Sequence, residues 1–397
     1  MTAGGLAVAG LFLLLAIASA GLPGSMRRGA WLPVHLALAG AAAQAIGAAM
    51  PYFTVALLAG RPAPWPLRVG VQACLALGAL GVTAGVVSGA AAVATSGGVV
   101  FVAGVGLLAP AAFAPLRGAL GRRHRWVLAA YAVAIVDVAL GAGLGTLEVA
   151  GFAPAAADWH WLEPAHGWLN LLGFVSLAIA ATLLHLYPTV VGSRIRSGRP
   201  ARALVLGLGG GAPIVALGYV LHAPEIGRAG AIVELVGLAG LLAYAAGAWR
   251  ARGRWTGDLA WRTAAIGSLG AGVAWFAVAI LVSTGLVLVD GATPAAWSFE
   301  AFAAPIVVGW TAQSVVGAWT HLLPALSSGT PERHAGQRRV LGRAARARLA
   351  GLNLGVLLLS IGLPASRTSV TQAGAVLAGV TLLVDLALFL RASRVEG

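Results

Sequence analysis

The chain has 397 residues, of which 59% are hydrophobic and only 10% are charged. Soluble domains carry about 25% charged residues, so water is not the solvent for most of this surface. The net charge of +14 comes from arginines that lie in short segments between apolar runs, which excludes a basic nucleic-acid-binding domain. The single cysteine, Cys74, excludes an intrachain disulfide framework.

Long apolar runs recur from one end of the chain to the other. Each approaches or exceeds the roughly 20 residues that a helix needs to cross a bilayer. We therefore predict an all-α polytopic membrane protein, a single membrane domain of residues 1–397 with the lipid bilayer as its solvent. Twelve transmembrane helices are predicted, over residues 3–22, 31–59, 69–94, 98–116, 126–150, 166–191, 203–221, 229–249, 262–288, 301–326, 349–365 and 370–390.

Arginines divide unequally between the two sides of these spans. Loops after even-numbered spans, together with the C-terminal tail, hold 22 arginines, whereas loops after odd-numbered spans hold four. The positive-inside rule then predicts that both termini are cytoplasmic. A chain rich in alanine and glycine, with arginine but no lysine, is typical of a GC-rich bacterial genome. We therefore expect a multi-pass protein of the bacterial inner membrane.

This orientation assigns a depth to each histidine in the spans. His35 and His166 lie near the outer surface, in spans two and six, whereas His185 and His321 lie near the inner ends of spans six and ten. At 1.5 Å per residue, His166 and His185 are about 28 Å apart along the helix axis. The outer and inner histidines therefore belong to different sites.

Spans six and ten repeat one pattern without gaps: glycine and an aromatic residue, ten residues, then His-Leu-x-Pro. Span two fits this pattern more loosely, with His35 in the place of His166 and Phe302 in the corresponding place of span ten. The offsets of 131 and 136 residues are close to one third of the chain. They predict three pseudo-repeated four-helix units, over residues 1–120, 121–255 and 256–397 approximately.

Three stretches of this sequence resemble the large subunit of haem-copper oxidases and nitric oxide reductases, above all the cbb3-type oxidases and the haem proteins of the nitric oxide response. His35 in HLALAGAAAQAIGAA is similar to the second-helix histidine that holds the low-spin haem. His166 in HGWLNLLGF is similar to the sixth-helix histidine that binds copper. GWTAQSVVGAWTHLLP, residues 309–324, resembles the latter part of the tenth helix. The resemblance implies a haem b cofactor, with copper as a further candidate.

The chain also departs from that family. Phe302 and Ala304 stand where the family has a His-x-His pair, span seven has no His-His pair, and Asn170 stands where many oxidases carry a cross-linked tyrosine. The binuclear centre is therefore incomplete, as in a degenerate member of the superfamily. We expect electron transfer or binding of a diatomic gas, NO or O2, rather than enzymatic reduction of either gas.

His35 and His166 are the predicted ligands of the haem or metal, because two helices at one depth can supply imidazoles to one iron. The alternative interpretation is that each only hydrogen-bonds a neighbouring helix. His222, at the outer end of span seven, is a third candidate ligand. His185 and His321 are secondary candidates, with a structural role before the following proline as the favoured interpretation.

Acidic residues inside the spans are the remaining candidates. Asp137 lies near the middle of span five, where a carboxylate costs roughly 2.5–3.5 kcal/mol on insertion scales. We expect Asp137 to face the bundle interior, on a proton path or behind a ligand histidine. Glu148 and Glu234 are expected near the outer surface and Asp385 near the inner surface.

Two other functions fit the same sequence. The first is a transporter or channel that uses Asp137 and the polar glutamines along a pathway. The second is a scaffold subunit that partners an external redox protein of the cupredoxin type, which would be an electron partner under the haem hypothesis as well.

Overall fold

The computed structural model describes residues 2–118, 124–194, 198–254 and 257–395, and these residues form helices and no strand. Twelve long helices follow one another along the chain. They are α1 (Thr2–Ala20), α2 (Trp31–Leu58), α3 (Trp65–Ser88), α4 (Ala91–Gly118), α5 (Arg125–Val149), α6 (Trp159–Val191), α7 (Arg199–Val220), α8 (Pro224–Arg250), α9 (Leu259–Asp290), α10 (Pro294–Leu326), α11 (Ala345–Gly362) and α12 (Thr368–Ser393).

Eleven of these helices, α2 to α12, are long and apolar enough to cross a membrane. The apolar part of α1, Gly4–Ala20, is shorter. Leucine and valine side chains along the helices remain exposed to the surroundings, as lipid-facing residues do. The predicted multi-pass helical class is therefore confirmed, while the count of twelve spans stays a prediction.

The boundary between α3 and α4 differs from the predicted one. The chain turns at Gly89, whose positive φ of 73° favours glycine, and α4 begins at Ala91 rather than at residue 98. Gly97, at the predicted break, lies inside α4, where a Cβ would collide with the backbone of Val82 on α3. The small residues near position 97 therefore allow two helices to pack closely and do not end either of them.

Two polar segments are more helical than predicted. Helix α6 begins at Trp159 instead of residue 166, because the aromatic and acidic segment before His166 continues the same helix. The segment between α10 and α11 contains a helix over Pro331–Leu341, where Pro331 occupies the first turn and the Thr330 hydroxyl accepts a hydrogen bond from the Arg333 backbone amide.

Three of the long helices change locally from α-helix to π-helix. The π segments are Leu36–Ala42 in α2, Trp168–Ser176 in α6 and Ala304–Ala312 in α10. They begin one or two residues after His35, His166 and Phe302, the three positions that the sequence alignment equates. Pi-helical turns are rare and often occur at functional sites.

A glycine in each π segment accepts a side chain from an earlier helix. Gly40 faces Phe12 of α1, Gly173 faces Asp137 of α5, and Gly309 faces Trp275 of α9, and a Cβ on any of these glycines would clash with that side chain. The same kind of contact therefore recurs in α2, α6 and α10 with three chemically different partners.

The chain divides into two compact units. The first contains His35, His166 and Asp137, and the second contains His185 and His321. The first unit comprises Met1–Thr182, Ser197–Leu241 and Thr284–Trp297, and the second comprises Leu183–Arg196, Leu242–Ser283 and Ser298–Gly397. This division does not follow the three predicted thirds of the chain.

Candidate functional site

The two outer histidines lie side by side in the first unit. The ring centroids of His35 and His166 are 6.3 Å apart, and the ring planes are inclined by only 21°. Both residues are partly buried. Two metal–imidazole bonds of about 2 Å each, with the two ring radii, span a similar distance, so the separation of the centroids is compatible with two imidazoles on one metal ion.

The ring of His35 is held by the first turn of its own helix. Its Nδ1 lies 2.8 Å from the backbone carbonyl of Trp31, and its ring stacks on the Trp31 indole at 4.0 Å. A carbonyl can only accept, so Nδ1 carries the proton and donates it. Nε2 therefore keeps the lone pair that a metal ion requires.

The ring of His166 is held in the same way by a different helix. Its Nδ1 lies 2.8 Å from the carbonyl of Gly141 on α5, and α5 comes this close because Gly145 has no side chain above the imidazole. The Asn170 amide donates to the His166 carbonyl at 2.8 Å. Since Nδ1 donates to Gly141, the Nε2 atom of His166 is also left for a ligand.

The donor set at this place consists of two imidazoles. Within the described residues, no group of three or more His, Cys, Asp or Glu side chains could hold a metal ion. A copper or zinc site built from protein alone usually needs at least three such ligands. A haem brings its equatorial ligands with the porphyrin and needs only axial ones, so a pair of imidazoles is sufficient.

His222, the third predicted ligand, has another partner. Its Nε2 lies 2.8 Å from a carboxylate oxygen of Asp158, and its ring stacks on Trp161 at 4.3 Å. The side chain is 46% exposed. The nitrogen that would bind a metal is therefore engaged in a hydrogen bond to Asp158 in an exposed position.

The two inner histidines lie in the second unit. The ring of His321 stacks on Trp261 at 5.5 Å, and the Trp261 indole N–H donates to the Thr320 carbonyl at 2.6 Å. The His185 carbonyl accepts a hydrogen bond from the Thr189 hydroxyl at 2.9 Å. Helices α6 and α10 continue just beyond the prolines that follow these histidines, and the described contacts are those of packed helix ends.

Asp137 is the central residue of α5 and is only 2% exposed, so it faces the interior of the protein as expected. Its carboxyl group lies against Gly173 on α6, and its Oδ2 has no hydrogen-bond partner. It does not orient a ligand histidine, because the Gly141 carbonyl holds the His166 ring.

Two of the other acidic residues in the spans are buried inside the protein, and their predicted depths in the membrane stay predictions. Glu234 is 0% exposed and lies close to the middle of α8. Asp385 is 2% exposed and forms an ion pair with Arg348 of α11. The sequence carries a signal for Glu234, because Gly230 and Gly237 place it on the small-residue face of α8 that packs against α7.

No protein-family model matches this chain, and a search of curated proteins finds no significant match. The function is therefore inferred from the residues and their geometry.

Proposed function

We propose that this chain is a haem-binding integral membrane protein of the haem-copper-oxidase-like fold, with His35 and His166 as the axial ligands of one haem b. The observation that carries the proposal is the pair of nearly parallel imidazoles, 6.3 Å apart, with each Nδ1 donating to a backbone carbonyl. Phe302 and Ala304 leave the binuclear centre incomplete, so the proposed role excludes the oxidase reaction.

The proposal includes the finer architecture. Twelve spans in three four-helix units, with both termini cytoplasmic in the bacterial inner membrane, are consistent with the π segments that follow the equivalent positions of α2, α6 and α10. The contacts of Gly40, Gly173 and Gly309 with an earlier helix support the same repeat.

Bound haem would supply an iron that changes oxidation state or coordinates a gas. The contribution of this chain is to fix the two imidazoles before the cofactor arrives. Donation from Nδ1 to the carbonyls of Trp31 and Gly141 sets the ring orientation and makes Nε2 a stronger donor. With both His35 and His166 holding it, the haem would supply electron transfer rather than gas binding.

The test is the absorption spectrum of protein purified in detergent from haem-replete cells. We expect a Soret band with near-stoichiometric haem b, and loss of the six-coordinate low-spin spectrum in both His35→Ala and His166→Ala. His160→Ala is the matched control, because this exposed histidine is on the same helix as His166. An unchanged spectrum in either ligand variant would contradict the assignment.

A colourless wild-type preparation would favour the transporter or scaffold. The observation behind the transporter alternative is the unpartnered carboxyl groups of Asp137 and Glu234 in the membrane interior. Elemental analysis of the same sample separates iron from copper. Copper without iron would replace haem b by a copper site at His35 and His166.

A further inference from the structure

Two buried acidic residues of the first unit lie beside the same stretch of α7. Asp137 is at the centre of α5, and Glu234 is near the centre of α8. A Cβ on Gly209 of α7 would contact Val133, one turn before Asp137, and a Cβ on Gly211 would overlap Glu234. The two acids are 2% and 0% exposed. A pair of acids at this depth has no access to bulk water that would stabilise two negative charges.

Two glycines on opposite helices provide the space for these carboxyl groups. A Cβ on Gly173 of α6 would overlap Oδ2 of Asp137, and a Cβ on Gly211 of α7 would overlap Oε2 of Glu234. Any larger residue at either position would displace an acid. Helix α7 also lacks one backbone hydrogen bond beside this place, because Pro213 has no N–H to donate to the Gly209 carbonyl.

The polar atoms of this site lack partners. Oδ2 of Asp137, both carboxyl oxygens of Glu234 and the hydroxyl of the fully buried Ser176 make no hydrogen bond. Ser176 lies about one turn from Gly173 on α6. The backbone of Ala212 lies beside the Glu234 carboxyl group, but neither oxygen has a partner with hydrogen-bond geometry. Buried structural carboxylates are normally paired or hydrogen-bonded, so packing does not account for this group.

The charged side chains around the pair lie too far along the helices to neutralise it. On α4 to α8, the other acidic, arginine and histidine side chains of the described residues are located toward the helix ends. They are Arg117, Arg125, Glu148, His160, Glu163, His166, His185, Arg199, Arg202, Glu225, Arg228 and Arg250. The buried tyrosines of these helices supply no cation; they are Tyr131, Tyr187, Tyr219 and Tyr244. Two carboxylates near one another without a cation cannot both be ionised at low cost, and one proton on the pair relieves the repulsion.

We propose that Asp137 and Glu234 hold one exchangeable proton between them and form a proton-binding site in the interior of the membrane domain. Binding adds a proton to one carboxylate of the doubly ionised pair and leaves one neutral carboxyl group beside one carboxylate, with no change in oxidation state. The site does not depend on haem, because neither acid contacts His35 or His166 through a described hydrogen bond.

The experiment uses dicyclohexylcarbodiimide, an apolar reagent that couples to protonated carboxyl groups in apolar surroundings. Full-length protein in liposomes is treated over a range of pH, and the adducts are located by peptide mass spectrometry. We expect one adduct per chain, on Glu234 or Asp137, which forms readily at neutral pH and is lost as the pH rises. The exposed Glu300 and Asp290 serve as internal controls and should remain unmodified.

Variants then test the coupling of the two acids. Glu234→Gln should abolish the adduct on that residue, and Asp137→Asn should change the pH profile of Glu234 labelling. His160→Ala, at an exposed histidine, is the control and should label as the wild type does. The absence of an adduct on either acid at every pH, or a Glu234 profile indifferent to Asp137→Asn, would overturn the proposal. If sodium at constant pH protected the two acids from labelling, the site would bind a metal cation, and the proposal would be overturned. The pH and sodium measurements use wild-type protein, so they do not depend on whether a variant folds.

Discussion

Asp137 of α5 and Asp385 of α12 are equally inaccessible, since each is 2% exposed within an apolar helix. Their surroundings differ completely. Asp385 is paired with the Arg348 guanidinium, which also donates to the carbonyls of Leu341 and Arg343. Asp137 lies against Gly173 with Oδ2 unpartnered. The two aspartates are therefore equally buried, but only Asp385 has a partner for its carboxylate.

The difference indicates which acid stabilises the fold. The Arg348–Asp385 pair connects α11 and α12, and the bond to Leu341 ties both to the Pro331–Leu341 helix, so its atoms are used in packing the second unit. An acid whose polar atoms are left unsatisfied lowers stability, and such local violations are expected at functional sites. The contrast predicts that substitutions at the two aspartates have unequal effects on stability.

The largest effect is expected for Asp385→Ala, which leaves the Arg348 guanidinium buried without its counter-ion. Breaking a buried ion pair in this way costs about 3–5 kcal/mol. The measurement is the free energy of unfolding in detergent, from titration with a denaturing detergent, with the melting temperature as a second readout. The double variant Arg348→Met with Asp385→Leu is the control and should regain most of the loss. A double variant no more stable than the single one would show that the uncompensated charge is not the cause.

The sequence predicts best those features of the structure that depend on one property of one kind of residue. Apolar runs predicted the membrane class, and the common depth and repeat position of His35 and His166 predicted two rings that the structure brings together. Gly97 illustrates a limit, because a glycine inside a helix interface and a glycine at a turn look alike in sequence.

Pairings between helices were beyond the reach of the sequence. Arg348 and Asp385 lie on different helices, and nothing in either segment identifies the other as its partner. The π segments could not be predicted either, because the same residues can form regular α-helix. The burial of Glu234 follows from the glycine spacing around it and not from its charge, so the acidic residue alone does not indicate it.

An intermediate effect is expected in the second unit, where Trp275 against Gly309 is the counterpart of Asp137 against Gly173. Here the polar atom is satisfied, because the Trp275 indole N–H donates to Asn353 at 2.7 Å, and Gln313 donates to the same oxygen at 3.2 Å. Asn353→Leu leaves the Trp275 indole N–H and the Gln313 amide without this acceptor and should lower the free energy of unfolding by about 1–3 kcal/mol.

The matched comparison is a double-mutant cycle in which Trp275→Phe removes the indole N–H and keeps an aromatic ring against Gly309. The Asn353→Leu loss should shrink in that background, because one of the two stranded donors is already absent. Additive losses, with no coupling between positions 275 and 353, would contradict the hydrogen bond as the source of stability.

The smallest effect is expected for Asp137→Asn, even though its burial equals that of Asp385. The carboxyl group has no counter-ion to strand, and an amide of the same shape removes an ionisable group from the membrane interior. Its free energy of unfolding should stay within about 1 kcal/mol of the wild type, or exceed it, since replacing an unsatisfied polar group removes little stabilisation. The same detergent titration measures this change beside Asp385→Ala. A loss as large as that of Asp385→Ala would mean that Asp137 has a stabilising partner. Asp137 would then be a structural residue like Asp385, which would contradict a functional role for it.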